Sequence, residues 1–193
     1  LDTDEFRYVH QPLHGDGSIV ARLVSQTPTS EWAKAGVMVK SSATEGAPYA
    51  LIAVTPDHGV HFQANFTEDD GEFATSLPVW LKLTRTGDLV VAAISPDGQS
   101  WSEIGSATVE MPDEATIGLF VTSHDNTQLS QVVFDNVTVN AGQDTDPGLP
   151  APWANEDIGG PAVSGLATEL DGTFLVSGGG GDIWETTDEF HFV

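Results

Sequence analysis

The chain of 193 residues carries 29 Asp and Glu residues against six Lys and Arg residues, which gives a formal net charge of −23. Nucleic acid and anionic membrane surfaces would repel such a chain, so neither is expected as a partner. Cys is absent, which excludes a disulfide framework and thiolate chemistry, and no apolar stretch approaches the length of about 18 residues that membrane insertion requires.

Strand signals recur through the first 140 residues, as short runs rich in Val, Ile, Leu and aromatic residues between clusters of Gly, Pro, Asp and Ser. Helix signals are nearly missing. Several runs alternate in polarity, as strands with one buried face do. The pattern predicts an all-β chain with strands at residues 18–24, 36–40, 49–55, 60–65, 79–85, 89–95, 115–123 and 131–140.

Four short segments between these strands have the residues of tight turns and predict antiparallel hairpins. They are Gly-Asp-Gly at 15–17, Asp-His-Gly at 57–59, Thr-Gly-Asp at 86–88 and Pro-Asp-Gly at 96–98. The sharpest is Ser-Pro-Asp-Gly-Gln-Ser-Trp at 95–101. It predicts a self-capped turn in which Asp97 accepts backbone amides and Trp101 covers the turn.

The composition divides the chain into three parts. Residues 1–141 are the main body of a β-sandwich, and residues 142–152 have no apolar period and are typical of a linker. Strand signals return in residues 153–193, around 157–159 and 172–177, followed by four consecutive Gly residues and then Asp182-Ile183-Trp184.

The two ends of the chain match each other. Thr-Asp-Glu-Phe-Arg-Tyr-Val at 3–9 returns as Thr-Asp-Glu-Phe-His-Phe-Val at 187–193, after an offset of 184 positions. A fixed period is the signature of tandem repeats, so the chain is expected to enter one repeat partway through and to end where the next repeat reaches the same point.

On this interpretation residues 1–141 lack their own leading strands, and an uncovered apolar face is costly. Residues 153–193 should supply the missing strands, either to the same sandwich or to a neighbouring copy by strand donation. The expected partners are therefore copies of the chain itself. The side chains expected to make this donation are Phe174, Val176, Ile183, Trp184, Phe190 and Phe192.

Several segments of the chain have a recognisable sequence. They are Phe-Arg-Tyr-Val at 6–9, residues 15–22, Trp-Ala-Lys-Ala-Gly-Val-Met at 32–38, Trp-Leu-Lys-Leu-Thr-Arg at 80–85, residues 95–101 and residues 117–124. They resemble the concanavalin A-like jelly-roll modules of the DUF1349 type, and the tail around 157–159 and 180–184 looks like the opening of the same module. The resemblance implies an antiparallel two-sheet sandwich. It also implies a frequent association with secreted carbohydrate-active or cell-surface proteins, without a fixed activity.

Enzymatic chemistry has little support in the sequence. Residues 68–72, Glu-Asp-Asp-Gly-Glu, match the Glu-x-Asp-x-Glu pattern of related jelly-roll glucanases, but they are expected in a polar turn that could not hold two carboxylates at a fixed spacing. The six His residues lack the spacing of a zinc helix. We expect no catalytic residue, with a glycoside hydrolase as the remote alternative.

Candidate binding residues fall into three groups. Asp16, Asp157 and Asp182 could bind calcium, the one cofactor considered. Asn65 and Asn136 begin N-glycosylation tripeptides, of which Asn65 is favoured because Asn136 falls in a predicted strand. Trp32 and Trp153 could stack on sugar rings, although Trp in a sandwich is more often buried.

The function expected from these patterns is that of a non-catalytic structural or adhesive module, such as one repeat of a filament. The alternative is a carbohydrate-binding module of a secreted protein, whose partner would be a polysaccharide. The first residue is Leu1, which is typical of a mature or trimmed product but also fits a fragment. Because salt screens repulsion between carboxylates, the acidic and Lys-poor composition favours an extracellular or cell-surface location in a halophilic source.

Overall fold

The computed structural model describes residues 4–66, 68–141, 156–158, 166–170, 172–177, 183–184, 187–188 and 190–192. Within these ranges the chain forms strands, turns and bends without a helix, so no helix there is long and apolar enough to cross a membrane. The chain divides into two compact units, Leu1–Gly142 and Gln143–Val193. The prediction of an all-β chain is confirmed.

The described residues of the first unit form eleven strands. They are β1 (Arg7–His14), β2 (Gly17–Gln26), β3 (Lys34–Lys40), β4 (Tyr49–Thr55), β5 (Gly59–Ala64), β6 (Glu68–Phe73), β7 (Val79–Thr86), β8 (Leu89–Ser95), β9 (Ser102–Thr108), β10 (Glu114–Thr122) and β11 (Val132–Ala141). A six-stranded sheet has the order β1-β10-β3-β4-β5-β6, and a five-stranded sheet has the order β11-β2-β7-β8-β9. Both sheets are antiparallel and pack as a sandwich consistent with a jelly roll, which confirms the predicted fold class.

Alternation of side chains along the strands produces the core between the sheets. In β2 the side chains of Ile19, Ala21 and Leu23 are fully buried, whereas the residues between them are partly exposed. This follows from the geometry of a strand, in which successive side chains point to opposite faces. The six-stranded sheet contributes Ala35, Val37, Val39, Ala50, Ile52, Val54, Val60, Phe62 and Ala64 to the same core.

The other face of the six-stranded sheet carries a second apolar cluster. It contains Met38, Tyr49, Leu51, Ala53 and Phe120, with Phe6 and Tyr8 packed against it. Strands β3 and β4 are consequently buried along nearly their whole length, which explains why their sequences are continuous apolar runs rather than alternating ones.

The strands predicted from the sequence correspond to β2, β3, β4, β5, β7, β8, β10 and β11. Within the first unit, the three strands that the prediction missed are β1, β6 and β9, and each of them lies at the edge of a sheet. An edge strand has fewer buried positions, so its sequence shows little of the apolar alternation on which the prediction depended. The segment at 68–72, expected in a polar turn, belongs to β6 and corrects that expectation.

Three of the predicted turns close hairpins, between β4 and β5, β7 and β8, and β8 and β9. The turn at 15–17 instead carries the chain from one sheet to the other, because β1 pairs with β10 whereas β2 pairs with β7 and β11. The capping of the turn is confirmed, since Asp97 Oδ1 accepts the backbone N–H groups of Gln99 and Ser100 at 2.8 Å. These hydrogen bonds, of which the one from Ser100 has the largest effect, lower the pKa of Asp97 to about 2. The indole that lies against Gly98 of this turn is that of Trp80 and not that of Trp101.

The described residues of the second unit form six short strands in three antiparallel pairs. They are β12 (Glu156–Ile158) with β17 (Phe190–Phe192), β13 (Leu166–Leu170) with β14 (Thr173–Ser177), and β15 (Ile183–Trp184) with β16 (Thr187–Asp188). The predicted linker at 142–152 lies outside the described residues. That residues 153–193 supply strands to this or another sandwich stays a prediction.

Candidate functional site

The strongest cluster of polar and aromatic side chains lies at one end of the six-stranded sheet and consists of Glu31, Trp32, His58, His61 and Glu72. We call it the Trp32 cluster. Its residues come from the loop between β2 and β3, the turn between β4 and β5, strand β5 and strand β6.

The loop that carries Trp32 is fixed by hydrogen bonds at both ends. Gln26 Nε2 donates to Ala33 O at 3.1 Å, and Thr29 Oγ1 donates to Ser123 O at 2.7 Å. The Trp32 backbone N–H donates to Ser30 Oγ at 3.2 Å. Trp32 is half-buried, so part of its indole is accessible from solvent.

The turn that carries His58 is organised by the buried hydroxyl of Thr55. This hydroxyl donates to Gly59 O at 3.0 Å and accepts the backbone N–H of His58 at 3.0 Å. Gly59 has φ +70°, and a Cβ there would lie 2.4 Å from the carbonyl oxygen of Phe73. Only Gly therefore allows β6 to approach the end of this turn.

The rings of Trp32 and His58 are stacked, with centroids 3.7 Å apart and an angle of 10° between their planes. His58 Nδ1 lies 3.2 Å from Glu72 Oε1, and His58 Nε2 lies 3.8 Å from Glu31 Oε2. The imidazole is thus held between two largely exposed carboxylates, and it in turn supports one face of the indole.

His61 forms the floor of the cluster. Its side chain is buried, its Nε2 lies 3.0 Å from His58 O, and its ring centroid lies 5.7 Å from that of Trp32. On the same strand, Gln63 Oε1 accepts a hydrogen bond from Lys34 Nζ at 3.0 Å. Amide and ammonium groups therefore lie on the sheet next to the stacked rings.

A pocket of about 220 Å³ adjoins the turn that carries His58. It is lined by Gln26, Val54, Thr55, Pro56, Thr75, Ser76 and Leu77. Gln26 and Thr55 also fix the two loops of the Trp32 cluster, so the pocket and the cluster share their supporting residues.

The two carboxylates of the Trp32 cluster are arranged differently from those of a glycosidase. A glycosidase needs two carboxylates that face each other across the space occupied by the sugar or by the attacking water. Here the imidazole of His58 fills the space between Glu31 and Glu72. Within the described ranges, no group of three or more His, Asp or Glu side chains is placed to hold a metal ion.

The segment that resembles the glucanase pattern departs from it in backbone geometry. In the ladder between β5 and β6, Phe62 pairs with Asp70 but Val60 pairs with Phe73, so one extra residue of β6 is inserted between these pairs. Such a bulge breaks the strict alternation that would place Glu68, Asp70 and Glu72 on one face. The left-handed φ of +43° at Glu72 belongs to the same irregularity.

Of the candidate calcium ligands, only the side chain of Asp16 is described. Its Oδ1 accepts the backbone N–H of Gly87 at 2.6 Å, which joins the turn between β1 and β2 to the turn between β7 and β8. Asp157 lies in β12 and Asp182 lies outside the described residues. Calcium binding by these three residues stays a prediction.

The two glycosylation candidates occupy different environments. Asn65 follows β5, and its side-chain oxygen accepts the backbone N–H of Tyr49 at 3.0 Å. Asn136 lies in a bulge of the edge strand β11, has φ +49° and is exposed. Of the two, Asn136 is the more accessible, although the sequence favoured Asn65.

Of the two candidate stacking residues, Trp32 belongs to the cluster and Trp153 lies outside the described residues.

Among the six candidate residues for strand donation, Phe174 and Val176 lie in β14 and are exposed. Ile183 and Trp184 form β15, and Phe190 and Phe192 are the two ends of β17. Sequence reasoning missed Glu31, His58 and His61 as parts of a site, and it considered Glu72 only within the segment that resembles the glucanase pattern. The one available signal was the place of His58 in a predicted turn.

Comparison with solved structures supports the sandwich. A functionally unknown protein from Saccharomyces cerevisiae matches with a TM-score of 0.55 and 17% identity, over 72% of this chain and 76% of that chain. A variant of the GH43 protein BlXynB from Bacillus licheniformis matches with a TM-score of 0.54 and 15% identity, over 66% of this chain and 28% of that chain. Another structure of BlXynB matches with a TM-score of 0.50 and 11% identity, over 69% and 33% of the two chains.

At these identities the similarities establish the fold alone. The chain spans 28% of the GH43 protein variant, so the likeness is to one part of that protein. No protein-family model and no curated protein matches the sequence. The resemblance to DUF1349 modules is therefore not supported by a family model. The structural matches support a likeness in fold to part of GH43 proteins.

Proposed function

We propose that the first compact unit is a non-catalytic carbohydrate-binding module, and that the Trp32 cluster is its binding surface. The observation that carries this proposal is the stacking of the Trp32 indole on the His58 imidazole. The imidazole in turn lies between the carboxylates of Glu31 and Glu72. An indole held in this way is a preorganised platform, and preorganisation lowers the entropic cost of binding.

The chemistry around the platform matches that of a sugar. The negative face of an indole attracts the weakly positive C–H groups on one side of a pyranose ring. Carboxylate oxygens of Glu31 and Glu72 accept hydrogen bonds from hydroxyl groups. The net charge of −23 would repel polyanionic polysaccharides, so neutral polysaccharides are the expected class. The likeness in fold to part of GH43 proteins supports the proposal by analogy.

The test is binding of the full chain to a panel of neutral polysaccharides and their oligosaccharides, measured by affinity electrophoresis and titration calorimetry. Trp32→Ala should weaken binding at least about tenfold, because truncation of a central aromatic anchor costs about 2 kcal/mol. The matched control is Trp101→Ala. Trp101 is also half-buried but lies next to Lys82 of the five-stranded sheet, so this variant should bind normally.

Equal losses for the two Trp variants, or no binding of any neutral polysaccharide by the wild type, would refute the proposal. Sugar release from the panel by the wild-type chain would refute its non-catalytic part. Glu68→Gln would then show whether the segment resembling the glucanase pattern is responsible.

Assembly through strand exchange is the second candidate function. The hairpin β13–β14 favours it, because all five residues of β14 are exposed and three of them are the apolar residues Phe174, Leu175 and Val176. In a two-stranded sheet each strand has one edge whose backbone groups can pair with another chain, and exposed apolar side chains favour such pairing. Concentration-dependent filaments or oligomers, seen by electron microscopy and sedimentation, would support this role, and a monomer at all concentrations would exclude it.

A further inference from the structure

The structure explains what the first copy of the repeated segment does in the sandwich. Lys40 is 1% exposed, and its ammonium donates to Asp4 Oδ2 at 2.6 Å and to Ala47 O at 2.7 Å. Asp4 Oδ1 accepts the backbone N–H of Gly46 at 2.9 Å. A buried ammonium without a carboxylate is strongly destabilising, so Asp4 satisfies a requirement of the sandwich itself.

Phe6 provides the second anchor of this segment. Its ring packs edge-on against Phe120 and Tyr8, with centroid distances of 6.0 Å and 5.9 Å. The chain then enters β1, which pairs with β10 at Arg7 and Val121. Gly118 of β10 makes the approach possible, because a Cβ there would lie 2.1 Å from Val9 O.

Tyr8 is a third anchor, because its ring packs against the same apolar cluster as Phe6 and its hydroxyl lies 3.3 Å from Met38 O and Thr116 Oγ1. The other residues at the start of β1 are weakly held. Strand β1 is an edge strand, Arg7 is exposed and Val9 is 65% exposed. Residues 4–9 can therefore leave the sheet if the contacts of Asp4, Phe6 and the Tyr8 ring are replaced, while the rest of β1 stays paired with β10.

The second copy of the segment, residues 187–193, has the same anchoring residues. Asp188 corresponds to Asp4, and Phe190 corresponds to Phe6. The two copies differ at two positions. One difference is His191, which corresponds to the exposed residue Arg7. The other difference, Phe192 for Tyr8, keeps the aromatic ring. Among the described residues, this segment is held by three residue pairs with β12 and two with β15, which is fewer than the eight pairs between β1 and β10.

We propose that residues 187–193 of a second copy of this chain can take the place of residues 3–9, with Asp188 on Lys40 and Phe190 on Phe120. This inference rests on the second candidate function, assembly, and is independent of carbohydrate binding. It defines the acceptor site: the buried ammonium of Lys40, the N–H of Gly46, the ring of Phe120 and the edge of β10.

The resident segment has an advantage because it is tethered. A short tether corresponds to an effective concentration in the millimolar range, so exchange between wild-type chains should be a minor event that grows with protein concentration. Variants that weaken the resident anchors should increase it, and variants that weaken the donor anchors should abolish it.

Disulfide trapping can detect a minor exchange, since the chain has no Cys of its own. Arg7 lies directly opposite Val121, at a distance that a disulfide can bridge. In the proposed exchange His191 takes the position of Arg7. The full chain with His191→Cys and Val121→Cys should form disulfide-linked dimers and larger multimers on a non-reducing gel. The chain with Arg7→Cys and Val121→Cys should give mainly an internally linked monomer.

Reciprocal anchor variants provide the controls. Both pairs of substitutions are added to the chain with His191→Cys and Val121→Cys. Asp4→Asn with Phe6→Ala weakens the resident segment and should raise the dimer yield severalfold. Asp188→Asn with Phe190→Ala weakens the donor segment and should lower the yield to that of a control chain with His191→Cys and Thr84→Cys, which are not expected to meet. A yield at the random level in every variant, or an internal link between positions 121 and 191, would overturn the proposal.

A fluorescent peptide of residues 185–193 provides a second measurement that needs no Cys variant. It should bind the chain with Asp4→Asn and Phe6→Ala, and an unlabelled peptide of residues 1–9 should displace it. Binding of oligosaccharide to the same protein, measured in parallel, reports on the Trp32 cluster alone. Failure of the exchange and failure of carbohydrate binding are thereby distinguished.

Discussion

Gly98 lies directly against the indole of Trp80: a Cβ on Gly98 would be 2.8 Å from Cε2 of that ring. Gly98 also has φ +73°, a conformation that residues with a Cβ seldom adopt. One glycine therefore meets two separate requirements, of backbone conformation and of space. The sequence indicated the turn but assigned its cover to Trp101, whose ring instead lies next to Lys82.

Substitution of Gly98 separates the two requirements. Gly87 has φ +58°, and a Cβ there would meet no atom within 4 Å, so Gly87→Ala should cost only the left-handed strain, about 1 kcal/mol. Gly98→Ala should cost about 2 kcal/mol more because the methyl group displaces Trp80. The free energy of unfolding in urea is the measurement, and equal losses for the two variants would contradict the packing role of Gly98.

The turn at Asp97 should contribute to the loss of stability in acid. Its pKa is lowered from 3.8 to about 2, mainly by the backbone N–H of Ser100. A carboxyl group whose pKa is depressed by folding contributes stability above its unfolded pKa, and this contribution is lost as the pH falls towards 2. Asp97→Asn should therefore make the dependence of Tm on pH shallower between pH 4 and pH 2. An unchanged slope would show that the folded carboxyl group titrates normally.

Tyr8 should act at the opposite end of the pH scale. Burial raises its pKa from 10.0 to about 12, an effect that a hydrogen bond from its hydroxyl to Thr116 partly offsets. Below pH 10 both the folded and the unfolded states are protonated. Between pH 10 and pH 12 the unfolded state alone ionises, so stability falls.

Tyr8→Phe should remove this part of the alkaline loss. At neutral pH the variant should be about 1 kcal/mol less stable, because it loses the hydrogen bond that the Tyr8 hydroxyl donates to Met38 O or Thr116 Oγ1, each 3.3 Å away. Unfolding in urea at pH 8, pH 10 and pH 11.5 measures both effects. A constant difference between the variant and the wild type at all three values would contradict the assignment to Tyr8.

A chain that ends at residue 142 should fold cooperatively. Among the side chains that the structure describes, the buried members of the core between the two sheets lie between Leu13 and Ile117, and those packed against them lie between Ile94 and Val139. This expectation reverses the one drawn from the sequence, in which the body lacked its own leading strands. Circular dichroism and sedimentation of residues 1–142 decide between them, because an insoluble or uncooperative product would support strand supply by residues 153–193.

The sequence predicted the interior of the fold better than its margins. Strands with one or two buried faces, such as β4 and β7, show apolar runs or alternation that a local pattern can detect. The Trp32 cluster was only partly predictable. Trp32 was a candidate on chemistry alone, whereas its contact with His58 depends on the loop between β2 and β3, and the contact of Glu72 depends on a bulge in β6. Such contacts are set by tertiary structure, which no short sequence window contains.

The placement of Lys40 and Arg85 affects how the protein meets its solvent. Lys40 is 1% exposed and Arg85 is 4% exposed, and Arg85 donates to the carbonyl oxygens of Gly87, Met111 and Pro112. Two of the six cationic side chains are therefore used for internal architecture. The surface carboxylates are therefore neutralised by fewer exposed cationic side chains than the formal charge suggests. They should attract a dense layer of cations from the solvent. When the salt concentration is lowered, this screening weakens and the repulsion between protein molecules increases.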